Sequence, residues 1–286
     1  ALGAPVEFNH RGTFEPVHDF EDGAFGGLLS AGDWTDDTSM ALCLGTSLIK
    51  QEKFDAKDQM ERYAKWYKEG YMSVIDHCFD IGNTTRKALE EFDSNDRSDP
   101  FMGSTHPRSA GNGSLMRLCP VPIFFRDDIE LAGNFSAESS KTTHAAEETV
   151  EACRVYGRMI AAAVNELINP EDFKSKNSRN ILQLLFQDII DSLPDKVRAI
   201  VNGSYIDKQE EEILSSGYVI HSMEAALWAI ANSNSFQEGV LKAVNLGDDA
   251  DTVAAIYGQL AGALYGFDGI PKKWIEGISQ PKTLDE

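Results

Sequence analysis

Apolar residues recur every three or four positions along most of this chain, which is the spacing of amphipathic α-helices, whereas period-two alternation between turn residues is scarce. The pattern predicts an all-α protein. Seven segments show it clearly, and so many helices in one chain predict a compact orthogonal helical bundle. These segments begin near Thr38, Asp55, Thr142, Ile181, Ser222, Ser235 and Asp251.

The chain has 286 residues, of which 42% are hydrophobic, and this is enough for one large core. We therefore expect a single domain over residues 1–286. Long loops in compact helical proteins commonly build binding sites. Four stretches read as irregular: 1–34, 93–114, 165–180 and 201–217. The chain opens on ALGAPVEF with no helix before it, so we expect that an N-terminal helix is missing.

Acidic side chains outnumber basic ones by 46 to 26, which gives a formal net charge of −20. Such a surface repels phosphate backbones, so we expect no nucleic-acid partner. The acidic surplus has two interpretations: a solvated surface, or carboxylates gathered around a cation. Only the spacing of the acidic residues can separate these interpretations.

The four cysteines, Cys43, Cys78, Cys119 and Cys153, lie far apart, and none has the C-x-x-C spacing of zinc or redox sites. We interpret them as buried thiols, which fits a reducing compartment. No apolar run approaches the ~20 residues of a membrane span, and the start lacks a signal-peptide pattern. We therefore expect a cytoplasmic, monomeric protein that does not bind membranes.

The first acidic cluster, Thr35-Asp36-Asp37, directly precedes the apolar helix MALCLGTSLI. Helix capping is one explanation, because Asp and Thr side chains satisfy free N–H groups and acidic groups suit the positive end of a helix. One cap needs only one residue, however, and adjacent aspartates repel each other unless a cation neutralises them. Taken alone, this cluster leaves capping and metal binding equally open.

The second acidic cluster, Asp249-Ala250-Asp251-Thr252, also directly precedes a helix. Capping is again the alternative, but two such clusters favour a shared metal centre. Oxygen ligands without clustered His or Cys favour Mg²⁺ or Mn²⁺, and the set suits two ions. Small residues that follow, among them Gly258 and Gly262, predict close packing of this helix against its neighbours.

A glycine-containing loop, Gly111-Asn112-Gly113-Ser114, leads into another apolar segment. Glycines let backbone N–H groups approach a phosphate. By itself the loop predicts a plain turn, but beside a metal centre it is a candidate cradle for a diphosphate. His144 stands at the start of a predicted helix, where a lone histidine is more often structural than catalytic.

Taken together, these motifs resemble those of the ADP-ribosylglycohydrolases, the family that contains the activating hydrolase of dinitrogenase reductase. The resemblance spans nearly the whole chain, in family order. It rests on ALGAPVEF, GDWTDDTSMALCLGTSLI, SAGNGSLMR, THAAEETVEAC, SGYVIHSMEAALWA and LGDDADTVAAIYGQLAGALYG. It implies an all-α fold with a dinuclear magnesium or manganese site in a central cleft.

The resemblance also implies roles for individual residues. The metal ligands would be Thr35, Asp36, Asp37, Asp249, Asp251 and Thr252. Glu7 matches the family's glutamate on a mobile loop, and the catalytic residues would be Glu7, Asp36 and Asp251. Substrate contacts would come from Gly111, Asn112, Gly113, Ser114 and His144, with Tyr218 beside the adenine. One departure is Asp248, where many members have glycine.

The activity implied by the resemblance is metal-dependent hydrolysis of the bond between ADP-ribose and a modified protein or small ADP-ribosyl compound. ADP-ribosyl-arginine is the first expectation. A serine-type O-linked substrate is the alternative, because both acidic clusters would address the shared ribose and not the leaving group. A non-catalytic ADP-ribose-binding or structural relative is the alternative from another class, and the presence of all six ligand positions and Glu7 argues against it.

Overall fold

The computed structural model describes residues 1–175 and 180–279. These residues form helices, 3-10 turns and loops, without a β-strand among them, so the predicted all-α class is confirmed. Of the predicted connector 165–180, residues 176–179 lie outside this description. The helices are α1 (Ala24–Gly27), α2 (Asp36–Gln51), α3 (Ala56–Glu69), α4 (Asn83–Ser94), α5 (Pro120–Phe124), α6 (Ile129–Lys141), α7 (Glu147–Val164), α8 (Asn180–Phe186), α9 (Asp195–Val201), α10 (Val219–Ala231), α11 (Phe236–Val244), α12 (Ala250–Tyr265) and α13 (Lys272–Gly277).

Most of the predicted helical segments correspond to observed helices. Helices α2, α3, α10, α11 and α12 begin close to their predicted starts. The segment predicted from Thr142 begins only at Glu147, because residues 142–146 form the turn that follows α6. Helix α8 ends at Phe186, well before the end of the apolar segment that predicted it.

Six of the described helices have no counterpart in the predicted set: α1, α4, α5, α6, α9 and α13. Helix α6 has the sequence IELAGNFSAESSK, in which five of the 13 residues are Gly, Asn or Ser, residues with lower helix propensity than Ala. Its buried face consists of small residues, including Gly133 and Ser136. This face packs closely on α7, where a Cβ atom on Gly157 would lie only 2.2 Å from Ser136 Oγ. Tertiary packing therefore stabilises a helix that its own sequence does not favour.

Helix α7 lies at the centre of the fold and contacts α5, α6, α8, α9, α10 and α12. Most of its residues are buried, as are most residues of α10. Tyr156 of α7 donates a hydrogen bond of 2.7 Å to the carbonyl oxygen of Ile256 in α12. This core holds the amino end of α12, which carries the second acidic cluster, in a defined place.

The prediction of close packing around Gly258 and Gly262 is wrong for these two residues. A Cβ atom on either would meet nothing within 4 Å, so neither allows a close approach of helices. The prediction of four buried thiols is also wrong in part: Cys43 and Cys153 are buried, whereas Cys78 and Cys119 are half-buried. Within the described ranges, none of the helices has the length and apolar character of a membrane span.

The close contact between α6 and α7 predicts opposite effects for two Gly-to-Ala substitutions. Gly157→Ala would force a methyl group onto Ser136 and should lower the free energy of unfolding by about 1–3 kcal/mol. Gly258→Ala, the matched control in α12, adds a methyl group in open space and should raise it by up to about 1 kcal/mol. Urea unfolding measures both values, and a Gly157→Ala variant as stable as the parent would contradict this packing.

Candidate active site

The two acidic clusters, 216 residues apart in sequence, meet in the folded chain. The first lies at the start of α2 and the second at the start of α12. Thr35 Oγ1 lies 2.8 Å from Asp37 Oδ2 within its own cluster and 2.8 Å from Asp251 Oδ2 in the other. The amino ends of two helices therefore place their polar side chains in one small volume.

Side-chain capping does not account for these residues. Thr35 and Asp249 are the N-cap residues of α2 and α12, yet neither side chain makes a capping hydrogen bond. A threonine hydroxyl has one proton, so Thr35 can donate to only one of its two carboxylate neighbours. The other carboxylate needs a proton or a cation. Of the two explanations that the sequence left open, the geometry favours cation binding.

Several carboxylate oxygens in this region are buried without a hydrogen-bond partner. They are Glu7 Oε2, Asp37 Oδ1 and Asp251 Oδ1. Buried acceptors are normally paired, because an unpaired one loses its hydration without compensation. Oxygens of this kind are suitable ligands for a hard divalent cation. The donor set of the cluster thus fits magnesium or manganese.

The electrostatics of the cluster point the same way. Burial, together with repulsion from neighbouring carboxylates, raises the pKa of Glu7 to about 11 and the pKa of Asp80 to about 7. The same two causes raise the pKa of Asp249 to about 6 and hold the pKa values of Asp36 and Asp37 well above their usual range. Without a cation, the folded chain therefore resists full ionisation of this cluster.

The loop that carries Glu7 is held against the second cluster. Gly3 packs so closely on the start of α12 that a Cβ atom would lie 2.5 Å from Asp251 Cα. Beyond Glu7, the Phe8 N–H donates to the Asp248 carbonyl oxygen at 2.7 Å, and the Asp248 N–H donates to the Asn9 carbonyl oxygen at 2.7 Å. This short pairing positions Glu7 beside the acidic side chains.

Two acidic residues next to the clusters have other partners. Asp33 Oδ2 accepts a hydrogen bond of 2.9 Å from the Ser30 N–H. Asp248 Oδ1 lies 2.7 Å from His10 Nδ1 on the surface. Asp248 has a φ of 53°, in the left-handed region where glycine is favoured and aspartate is tolerated. The backbone conformation at this position is therefore one that an aspartate can adopt.

Asp80 belongs to the same cluster, and the sequence analysis missed it. Carboxylate oxygens of Glu7, Asp80 and Asp251 all lie within 4.8 Å of one another. Asp80 lies in the loop before α4 and has a φ of 59°. A lone aspartate in a loop carries no spacing pattern, so nothing in the sequence distinguished it from a solvated residue.

The glycine loop lies against the second cluster through Asn112. Asn112 Nδ2 donates to Asp249 Oδ2 at 2.7 Å and to Ser222 Oγ at 2.8 Å. The Asn112 N–H donates to the Gly217 carbonyl oxygen at 3.0 Å. The loop is therefore held by its asparagine on one side and by the start of α10 on the other.

The remaining predicted substrate residues have different environments. The Ser114 hydroxyl is buried, 2.8 Å from Ser140 Oγ, so its side chain is engaged in the interior. His144 is buried in the turn between α6 and α7 and lies beside Gly113. The Tyr218 hydroxyl contacts Glu148 and accepts a hydrogen bond of 2.8 Å from Lys196 Nζ.

A cavity of about 970 Å³ opens over the cluster. Its volume falls at the upper end of the range for sites that bind small molecules and cofactors. The acidic side chains form one part of its wall, and the glycine loop and His144 form another. Polar lining residues include Glu7, Asp36, Asp80, Arg86, Asn112, His144, Asp249 and Thr252.

The raised pKa of Glu7 predicts how the stability of the metal-free protein depends on pH. Between the unfolded pKa of about 4.3 and the folded pKa of about 11, the folded state holds a proton that the unfolded state releases, so stability falls as pH rises. Histidines with lowered pKa values act in the opposite direction near their unfolded pKa of about 6.5, and the buried amino terminus, whose pKa burial also lowers, does so near about pH 8. These groups are present in parent and variant alike, so the comparison is between their slopes over the window of about pH 7.5 to 8.5.

In that window the unfolding free energy of Glu7→Gln should fall less steeply with rising pH than that of the parent. The difference between the two slopes should be at most about 1.4 kcal/mol per pH unit, the value for one proton. Urea unfolding in the presence of a chelator measures the slope. Asp268→Asn, at an exposed turn, is the matched control and should leave the slope unchanged. Equal slopes for Glu7→Gln and the parent would show that Glu7 does not carry a raised pKa.

Comparisons with known proteins show which family the chain resembles. A model of the ADP-ribosylglycohydrolase family matches residues 1–286. The ADP-ribosylarginine hydrolase Tri1 of Serratia proteamaculans is 39% identical over 284 residues, covering 99% of this chain and 73% of that protein. The ADP-ribosyl-[dinitrogen reductase] glycohydrolase of Rhodospirillum rubrum is 29% identical, covering 97% of this chain and 85% of that protein.

A solved structure of an ADP-ribosylglycohydrolase-related protein complex has the same fold. It superposes with a TM-score of 0.79 at 38% identity, covering 98% of this chain and 87% of that chain. The fold and the match over the full length agree with one another. The chain belongs to the ADP-ribosylglycohydrolase family.

Proposed function

We propose that this chain is a metal-dependent hydrolase that releases ADP-ribose from ADP-ribosylated arginine on proteins. The observation that carries the proposal is the convergence of the two acidic clusters, with unpaired buried oxygens on Asp37 and Asp251, beside a cavity of about 970 Å³. The relatives named for arginine hydrolysis are similar along the whole chain, which supports the same linkage here.

The metal ligands in this proposal are those that the resemblance implies, and they suit two Mg²⁺ or Mn²⁺ ions. When bound, the ions supply positive charge that neutralises the cluster and Lewis acidity that orients ribose hydroxyls. The ligands are Thr35, Asp36, Asp37, Asp249, Asp251 and Thr252. Asp80, whose carboxylate lies within 4.8 Å of Glu7 and Asp251 carboxylate oxygens, adds a further acid to the set.

Hydrolysis breaks the bond between C1 of the ribose and the guanidino nitrogen. Water supplies the oxygen that bonds to C1, and the released nitrogen takes up a proton. Glu7 reaches the centre from the amino-terminal loop and, ionised once cations balance the neighbouring carboxylates, takes the proton of the attacking water, a common role for a carboxylate in glycoside hydrolysis. Asp36 and Asp251 assist this proton transfer from the starts of α2 and α12.

The charge of the cavity supports arginine as the leaving group. An ADP-ribosylated arginine keeps the positive charge of its guanidinium, whereas a serine linkage is neutral. Six carboxylates lie at the centre, those of Glu7, Asp36, Asp37, Asp80, Asp249 and Asp251, so two divalent cations would leave a net negative charge that complements the guanidinium. The ADP-ribosyl group itself would contact Gly111, Asn112, Gly113 and His144, which line the same cavity.

The proposal also covers the domain organisation, the cellular compartment, the oligomeric state and two further substrate contacts. One core cluster draws on residues from Val6 to Trp274, which supports a single domain over residues 1–286. Free thiols suit a reducing cytoplasm. We further propose a monomer, contact of the Ser114 backbone with the substrate, and adenine binding beside Tyr218.

Substitution of the cluster tests the proposed activity. Asp36→Ala and Asp251→Ala should each lower metal-dependent release of ADP-ribose from an arginine-linked peptide by roughly a hundredfold or more, because each removes a ligand oxygen and leaves its neighbours unbalanced. Asp268→Ala, at an exposed turn, is the control and should retain activity. The assay measures free ADP-ribose with Mg²⁺, with Mn²⁺ and with a chelator.

A serine-linked peptide of the same sequence, assayed in parallel, separates the two linkages. Faster release of ADP-ribose from the serine peptide would show that the enzyme prefers the O-linked substrate to the arginine-linked one. Binding of ADP-ribose without release from either peptide would identify a non-catalytic relative. Full activity in both Asp→Ala variants would contradict the proposal that the two acidic clusters form the metal centre of the enzyme.

A further inference from the structure

Arg117 is a fully buried cation, and the proposed mechanism gives it no task. Its Nη1 donates to the Gly113 carbonyl oxygen at 2.8 Å, and its Nη2 donates to Thr143 Oγ1 at 2.7 Å. The guanidinium also lies 4.6 Å from the centre of the Tyr63 ring. Among the described residues, these contacts of Arg117 are with neutral groups, which is a costly arrangement for a buried charge.

The second partner of Arg117 connects it to His144. Thr143 is fully buried, and its Oγ1 lies 2.8 Å from His144 Nδ1. Because Arg117 can only donate, the threonine oxygen accepts from it, and the O–H group of Thr143 is left to donate to His144 Nδ1. A threonine oxygen can accept two hydrogen bonds, but if Nδ1 carried the ring proton, the buried hydroxyl proton would have no acceptor among the hydrogen bonds of the described residues. This pattern of donors and acceptors favours a neutral ring whose proton is on Nε2.

The opposite edge of the His144 ring faces the glycine loop. A Cβ atom on Gly113 would lie 2.9 Å from His144 Cε1 and 3.2 Å from Nε2, and one on Gly111 would lie 3.3 Å from Nε2. Burial, and then the charge of Arg117, lower the pKa of His144 to about 3. The ring is thus neutral at ordinary pH and presents an N–H group at the cavity wall.

We propose that Arg117 and Thr143 are positioning residues that hold His144 as the Nε2–H tautomer, a hydrogen-bond donor to an acceptor atom of the bound ADP-ribosyl group. The same guanidinium donates a hydrogen bond to the Gly113 carbonyl oxygen. One buried cation therefore positions both the glycine loop and the His144 ring. This inference rests on the proposed function, because it takes ADP-ribose as the ligand of the cavity.

A purely structural role for this network makes a different prediction. If Arg117 and Thr143 only joined the turn before α7 to the core, loss of the Thr143 hydroxyl would lower stability without changing the tautomer of His144. The tautomer and the affinity for ADP-ribose are therefore the quantities to measure, together with stability.

The test uses the full chain with Mg²⁺ and three variants. Thr143→Val removes the hydroxyl with little change in shape, and Thr143→Ser restores it. Thr142→Val is the matched control. Thr142 Oγ1 also accepts a hydrogen bond from Arg117, at 3.3 Å, but the hydroxyl beside His144 Nδ1 is that of Thr143. ¹⁵N NMR of the histidine rings reports the tautomer, and calorimetry with ADP-ribose reports the affinity.

We expect the Nε2–H tautomer in the parent protein, Thr143→Ser and Thr142→Val, and a mixture of tautomers in Thr143→Val. The affinity of Thr143→Val for ADP-ribose should fall about three- to tenfold, the effect of one neutral hydrogen bond. In turnover, KM for the arginine-linked peptide should rise by a similar factor, with kcat changed less. Circular dichroism checks that each variant is folded.

An Nδ1–H tautomer in the parent protein would overturn the inference, and this spectrum does not depend on any variant folding. Unchanged affinity of a folded Thr143→Val variant would also overturn it, while the proposed function would stand if the parent releases ADP-ribose. A parent protein that neither binds nor releases ADP-ribose would contradict the proposed function, and with it the ligand named here.

Discussion

Thr35 Oγ1 and Asp251 Oδ2 lie 2.8 Å apart, and this contact joins two distant parts of the chain. The rest of the structure has to compensate for the negative charge that the contact concentrates. The contact brings together carboxylates that are buried and repel one another. Such a group is stable only if protons or cations balance it. The positive ends of α2 and α12 help, because both helices begin at the cluster.

The surrounding fold holds the loops of this site with very little regular pairing between extended segments. Within the described ranges, three isolated bridges join the segments around the cavity: His10 to Gly247, Ser104 to His144, and Gly111 to Tyr218. The first places Glu7 beside the second acidic cluster. The other two hold the His144 turn and the glycine loop. The helical core thus supplies rigidity, while short pairings of loops set the positions of the chemical groups.

Parts of this arrangement follow from local sequence. Thr35-Asp36-Asp37 and Asp249–Thr252 are visible because their acids are consecutive or nearly so and stand before apolar helices. Asp80 is not visible, since only folding brings its carboxylate near Glu7. Helix α6 escaped prediction because its polar, small residues suit close packing on α7 and not an isolated helix. The hydrogen bonds from Arg117 through Thr143 to His144 depend on side-chain positions that no spacing reveals.

The central claim is that the two acidic clusters form one metal centre. Crystals soaked in Mn²⁺ and measured at the manganese absorption edge test it most directly, because anomalous scattering locates the ion without reference to activity. The account predicts anomalous peaks between Thr35–Asp37 and Asp249–Thr252, with ligand oxygens from both clusters. Fully occupied manganese elsewhere, with no peak between the clusters, would contradict it.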